Sequence, residues 1–205
     1  MTEWHSYDPA DGHRLAHDPL SAIVAPRPIG WISTLSSGGI ANLAPYSFFS
    51  LFNYRPPIIG FASTGGKDSL ANAEATGEFV WNLVTRDLAE PMSDSSATLA
   101  SDVDEFAMTG LDRLPSQVVK PARVARSPVQ FECRVTQIVR LLAADGREIN
   151  QHMVLGEAVM IHIDPGMLED GVYQTARPRP ITRGGGLADY FEITQDRLFK
   201  LGRPR

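Results

Sequence analysis

Apolar side chains fall on alternate positions through residues 129–141. Val129, Phe131, Cys133, Val135, Val139 and Leu141 share one face, while Gln130, Glu132, Arg134, Thr136 and Arg140 mostly fill the other. That period predicts a long strand with one wet face. Another strand is predicted over 154–163, and its period sets His162 on the side of Gly156, Ala158 and Met160. Ile29 to Leu35 has strand character and runs into Ser36-Ser37-Gly38-Gly39, a turn that should reverse the chain into a strand near Ile40 to Pro45. Pro57 to Ala62 and Phe79 to Val84 are short apolar runs, the first bounded by proline and glycine, and both suit buried strands.

Helical signals are fewer. Ser69 to Thr76 has Asp68 or Ser69 as an N-cap and Gly77 at its C-terminal end. Asp87-Leu88-Ala89-Glu90 has capping-box spacing, with Pro91 tolerated near a helix start. Asp102 to Met108 is a third candidate, closed by Gly110. Short strands at close spacing with helices inserted between them predict a closed or partly closed antiparallel sheet, mainly β, rather than a βαβ repeat. One domain is expected over 1–205, with a polar N-terminal arm over about 1–22 and a C-terminal tail over about 177–205.

Composition narrows the function classes. With 205 residues, 43% hydrophobic and 21% charged, the chain is long enough to bury a core and too apolar to be disordered. A net charge of -5 argues against a nucleic-acid binder, but leaves room for one local phosphate site. The single cysteine, Cys133, excludes an internal disulfide framework and a four-cysteine zinc site, and fits a reducing cytoplasm. The start of the chain lacks a signal-peptide pattern, and no run of about 18 apolar residues is available for a membrane span. No metal site is expected, because Gly12 and Pro19 break the helix that His13 and His17 would need.

Lys67-Asp68-Ser69 is the sharpest chemical signal. It stands where a strand hands over to a helix, whose first N–H groups and dipole favour an anion. An ordinary N-cap beside a solvated lysine fits the same residues. Gly66-Lys67-Asp68 fails as a P-loop, since Asp68 stands where Ser or Thr is required. Tyr46, Phe48 and Phe49 read either as core aromatics or as an apolar wall beside a turn at Ser47. Hydroxyls such as Ser33 and Thr34 often bond only to neighbouring backbone. His162 reads as a packed core residue or as a nicotinamide contact. Arg183 and Tyr190 bracket the turn Gly184-Gly185-Gly186 and read as local packing or as a docking edge.

An ordered set of segments resembles the flavin reductase-like family. It runs Arg27-Pro28-Ile29-Gly30-Trp31, Asn42-Leu43-Ala44-Pro45-Tyr46-Ser47, Lys67-Asp68-Ser69, Gly77-Glu78-Phe79-Val80 and Val103-Asp104-Glu105-Phe106. It continues through Ser127-Pro128, Glu132-Cys133, Gly156-Glu157 and His162-Ile163. The resemblance implies an FMN-binding split β-barrel, antiparallel and Greek-key, working as a homodimer. It implies that Ser33, Thr34, Asn42, Tyr46, Ser47 and Phe48 line the flavin, and that Ser63, Lys67, Asp68 and Ser69 hold its phosphate. It also implies hydride transfer from NADH or NADPH to flavin, with His162, Arg183 and Tyr190 near the reacting face and an oxygenase or other electron acceptor as possible partner. An FMN-containing electron carrier reduced by a protein, or a non-catalytic flavin-binding module, would carry the same motifs. The aromatics Trp31, Tyr46, Phe48 and Phe49 are expected to leave an apolar patch for the second subunit.

Overall fold

The computed structural model describes residues 2–202, so Met1 of the arm and residues 203–205 of the tail lie outside the described residues. In chain order the strands are β1 (Arg27–Pro28), β2 (Gly30–Leu35), β3 (Ala41–Tyr46), β4 (Phe49–Tyr54), β5 (Pro57–Thr64), β6 (Glu78–Asn82), β7 (Arg113–Leu114), β8 (Arg123–Val124), β9 (Val129–Leu142), β10 (Glu148–Ile163), β11 (Leu168–Glu169), β12 (Val172–Tyr173), β13 (Ile181–Arg183) and β14 (Tyr190–Glu192). The helices are α1 (Leu20–Ile23), α2 (Asp68–Thr76), α3 (Ala89–Asp94) and α4 (Glu105–Thr109). Seven strands form one antiparallel sheet in the order β3-β2-β6-β9-β10-β5-β4. Its two edge strands, β3 and β4, are joined only by Ser47 and Phe48. Two residues span at most about 10 Å between their neighbours, so the edges must meet there and the sheet must curl.

The curl creates two cores, and β2 feeds both by alternation. Inside the barrel, Ile32, Tyr46, Ile59, Phe61, Phe79, Cys133 and Val154 pack with Leu70 and Ala73 of α2. On the other side Trp31, Leu43, Val84 and Ile181 pack with Met92 of α3 and Phe106 of α4. Gly156 is required by this packing, because a Cβ there would stand 2.4 Å from the Phe79 ring. Trp31 and Tyr46, expected on the surface, are thus core residues. Phe48 is 57% exposed, and Phe49 stacks on Trp81 at 5.5 Å between ring centroids.

Three expectations from the sequence need correction. The far face of β9 is wet only in part, since Gln130 and Glu132 lie beneath the 117–124 segment and Glu132 is 0% exposed. Two bulges reset the alternation, each adding an unpaired residue that reverses the facing of the positions beyond it. The shift opposite Leu155 and Gly156 turns Ile138 toward the core and leaves Val139 42% exposed. The shift between Ala158 and Met160 puts His162 opposite Gln130, on the face away from Gly156 and Ala158. The strand β4 has no clear period and is not visible in the sequence.

A candidate cofactor cleft beside the split

The cleft opens between β3 and the start of α2. Asn42, Ala44, Pro45 and Tyr46 of β3 form one wall, and Gly66 to Ser69 form another at the start of α2. Residues 95–101 and Glu105 complete it, enclosing about 390 Å³. That lies in the range of small-molecule sites, roughly 300–1,000 Å³.

Lys67 itself is the N-cap of α2, with extended backbone, and no side chain caps the helix. The cap therefore lies one position before the expected Asp68 and two before Ser69. Its consequence is chemical: the first-turn N–H groups are left to a ligand or to water. Gly77 closes the helix in the left-handed conformation at φ 70°, as the sequence suggested. The ammonium of Lys67 stands 5.9 Å from the centroid of the Tyr46 ring, on the cleft side of the barrel.

A buried network fixes these walls. Asn42 Nδ2 donates to Ser69 Oγ at 2.8 Å and to Thr34 Oγ1 at 3.1 Å, and Asn72 Nδ2 donates to the same Thr34 oxygen at 3.0 Å. Thr34 thus ties α2 to the sheet from behind. Ser33 donates to the carbonyl of Ala122 and is fully buried. Of the ten residues expected around a flavin, Asn42, Tyr46, Lys67, Asp68 and Ser69 line the cleft. Ser33 and Thr34 sit in the supporting layer, and Ser47 and Phe48 form the link between the two sheet edges.

Tyr46 Oη and Ser63 Oγ are buried without a hydrogen-bond partner. Ser69 and Ser63 lie close enough to the Tyr46 phenol to oppose the effect of its burial, although neither meets it with full hydrogen-bond geometry. Burial raises the pKa of the Tyr46 phenol, which therefore stays a neutral donor. An unpaired buried hydroxyl costs about 1–3 kcal/mol, so the one on Tyr46 suits a polar ligand in the cleft, whereas Ser63 is fully buried on β5 and does not line it. Glu105 also enters the wall. Burial holds its carboxyl above the usual carboxylate range, against the pull of the Leu43 N–H, which it accepts at 3.0 Å. In the sequence Glu105 stands out only as part of a motif. The hydroxyl-rich run Ser95-Ser96-Ala97-Thr98, with Ser101, is the available signal for this wall.

The other three candidates lie elsewhere. His162 Nε2 meets Glu132 Oε1 at 2.7 Å, and that carboxylate also accepts the N–H groups of Gln117, Val118 and Val119. Arg183 and Tyr190 face each other across β13 and β14, with the guanidinium 4.8 Å from the ring centroid. None of the three lines the cleft. Among the described residues no group of three His, Cys, Asp or Glu side chains gathers to hold a metal, and no helix is long and apolar enough to cross a membrane.

The fold recurs in solved structures. Nitrilotriacetate monooxygenase component B from Bacillus cereus superposes with a TM-score of 0.87 at 22% identity, covering 98% of this chain and 100% of that one. The Pseudomonas fluorescens 2-nitrobenzoate 2-nitroreductase NbaA gives 0.78 at 27% identity, with 90% and 88% covered. A protein of Aquifex aeolicus (strain VF5) is 34% identical over 170 residues, which are 80% of this chain and 83% of that one. The architecture is the flavin reductase split barrel. Residues 24–182 match the flavin reductase like domain, and with that match over most of its length the chain belongs to the flavin reductase-like family.

Proposed function

We propose that the protein is an FMN-dependent oxidoreductase that draws on NADH or NADPH. The observation that carries this reading is the cleft: an uncapped helix start, a lysine and the unpaired buried hydroxyl of Tyr46 within one wall system. The residues present fit a flavin nucleotide. Lys67, the Ser69 hydroxyl and the first N–H groups of α2 suit its phosphate. Tyr46, Asn42 and the Ser47 turn suit the ribityl chain and the polar ring edge. Bound FMN would supply the redox chemistry, with the nicotinamide as hydride donor. The chain's task is to bind, orient and shield. Asn42 and Thr34 hold the α2 start in place, and the neutral Tyr46 phenol offers a proton donor without adding negative charge.

Reconstitution with FMN is expected to give a yellow protein with quenched or shifted flavin fluorescence. Anaerobic addition of NADH or NADPH should then bleach it. No binding at micromolar flavin would sink the assignment. Bleaching by a protein donor alone would instead make the chain an electron carrier.

The proposed working unit is a homodimer, with an oxygenase or other acceptor as the further partner. A groove of about 500 Å³ continues the inner face of the sheet to the surface, lined by Phe49, Leu51, Trp81, Phe131, Ile161 and Ile163 among others. Its aromatic ladder continues from Phe49 on Trp81 to Phe131 at 4.9 Å. An apolar surface of this kind calls for a covering partner, and a two-fold copy is the commonest solution. Sedimentation should show a dimer, and Ile161→Asp should split it and lower flavin occupancy together. A monodisperse monomer that holds FMN stoichiometrically would refute this.

A further inference from the structure

Arg27 and Arg183 stand directly opposite one another across the antiparallel pair of β1 and β13. Directly opposed residues project to the same side, and like charges there are normally destabilising. Neither guanidinium pairs with a carboxylate among the described residues. Both are held by carbonyls instead. Arg27 Nη1 donates to Ser21 O and to Val24 O, and its Nη2 donates to Gly184 O at 3.2 Å. Arg183 donates to Asp189 O at 2.9 Å and to Leu187 O at 2.8 Å. The Asp189 carboxylate accepts the Gly186 N–H at 2.9 Å and forms no ion pair with either arginine.

Carbonyls orient a guanidinium without neutralising it, so both residues keep a full positive charge on one face of this small sheet. The Nε of Arg27 has no partner at all. Each cation also lies against an exposed aromatic ring, Arg27 at 5.7 Å from the Phe48 centroid and Arg183 at 4.8 Å from that of Tyr190. Phe48 is 57% exposed and Tyr190 41%. Phe48 is two residues beyond Tyr46, which lines the cleft.

We propose that Arg27 and Arg183 form an oxyanion site that takes the anionic group of a small molecule whose flat ring lies on Phe48 or Tyr190. The pyrophosphate of a dinucleotide and the carboxylate of an aryl acid both offer that chemistry. A planar guanidinium recognises either one in the same way. The site rests on the flavin reading only in its nearness to the cleft, since anion binding needs no flavin.

The test is calorimetric titration of the full chain, flavin-free, with inorganic pyrophosphate and separately with benzoate. Saturable binding of one of them is expected, weakening as salt rises. Tighter pyrophosphate binding would point to a dinucleotide, and tighter benzoate binding to an aryl acid. Arg183→Gln should weaken the better ligand about tenfold or more, as loss of a charge-assisted contact does. Arg140→Gln, which removes an arginine paired with Glu148 on a distant hairpin, should leave binding unchanged. Circular dichroism of both variants should match that of the parent chain. The site is overturned if neither anion saturates by about 10 mM, weaker than a single good contact allows, if Arg183→Gln leaves the affinity unchanged, which would put the anion at the start of α2 instead, or if both variants lose affinity equally. A separate FMN titration keeps the two readings apart, because its failure would remove the flavin assignment and not this site.

Discussion

Glu132→Ala is expected to cost the fold about 4 kcal/mol, the largest stability loss among the polar side chains considered. Glu132 is 0% exposed, and its two oxygens accept the N–H groups of Gln117 at 2.8 Å, Val118 at 2.6 Å and Val119 at 3.1 Å, besides the His162 ring. Alanine leaves three backbone donors and an imidazole to find new partners. Each unpaired buried group costs about 1–3 kcal/mol, and breaking a buried charged contact costs about 3–5 kcal/mol. For a domain of this size each kcal/mol moves Tm by roughly 2–4 °C, so the expected fall is about 8–16 °C. Urea melts read the same loss as a lower midpoint at unchanged slope. A change under about 1 kcal/mol, the scale of an exposed ion pair, would show that the 117–119 segment does not depend on this carboxylate.

The same residue sets a pH signature. Burial alone would raise the Glu132 carboxyl, but the Gln117 N–H, the His162 ring and the N–H groups of Val118 and Val119 together hold it below its ordinary value. A folded pKa below the unfolded one means that the unfolded chain binds the proton more readily. Stability from Glu132 is therefore fully present above its unfolded pKa, about 4.3, and is lost as pH falls through the folded pKa. Glu132→Gln should flatten that part of the acid limb. His162→Ala should weaken the fold only modestly, since the three backbone bonds survive it.

The barrel was legible where local chemistry and burial agree. Residues 30–35, 57–64 and 78–82 alternate or run apolar because both of their faces are covered, and Gly77 and Gly110 close their helices at positive φ. The misreadings arose where distant chain decides. Nothing near Glu132 in sequence announces that residues 117–119 will cover it. Bulges opposite Leu155 and beyond Ala158 reverse side-chain direction; Gly156 adjoins the first, and neither glycine nor proline marks the second. Phe49–Tyr54 lacks alternation because it is an edge strand, open along one side, whose apolar residues lie at an exposed surface. In the cleft the sequence displayed Lys67 to Ser69, since a helix start is a local event. Glu105 and residues 95–101 arrive there only through the packing of Phe106 and Met92 against Trp31 and Leu43.

Lys67→Ala is expected to weaken FMN about tenfold to a hundredfold while leaving riboflavin nearly unchanged. Charge and placement set this effect. Lys67 caps α2 with backbone alone, its ammonium stands 5.9 Å from the Tyr46 centroid, and no helix-capping side chain competes for the first-turn N–H groups. A charge-assisted hydrogen bond is worth about 1.5–3 kcal/mol, and each 1.4 kcal/mol is about tenfold in affinity. Riboflavin lacks the phosphate and so should not feel the loss. Ser69 behaves differently. Its oxygen already accepts from Asn42 at 2.8 Å, which leaves its proton for the ligand. Ser69→Ala should therefore weaken both flavins, FMN more strongly, because it removes a donor and loosens the Asn42 wall. The sign reverses at Asp68, whose N–H can serve the phosphate but whose carboxylate repels it, so Asp68→Asn should hold or tighten FMN. Fluorescence titrations of the three variants with both flavins decide the matter. Equal losses for FMN and riboflavin in Lys67→Ala would place the phosphate away from the start of α2.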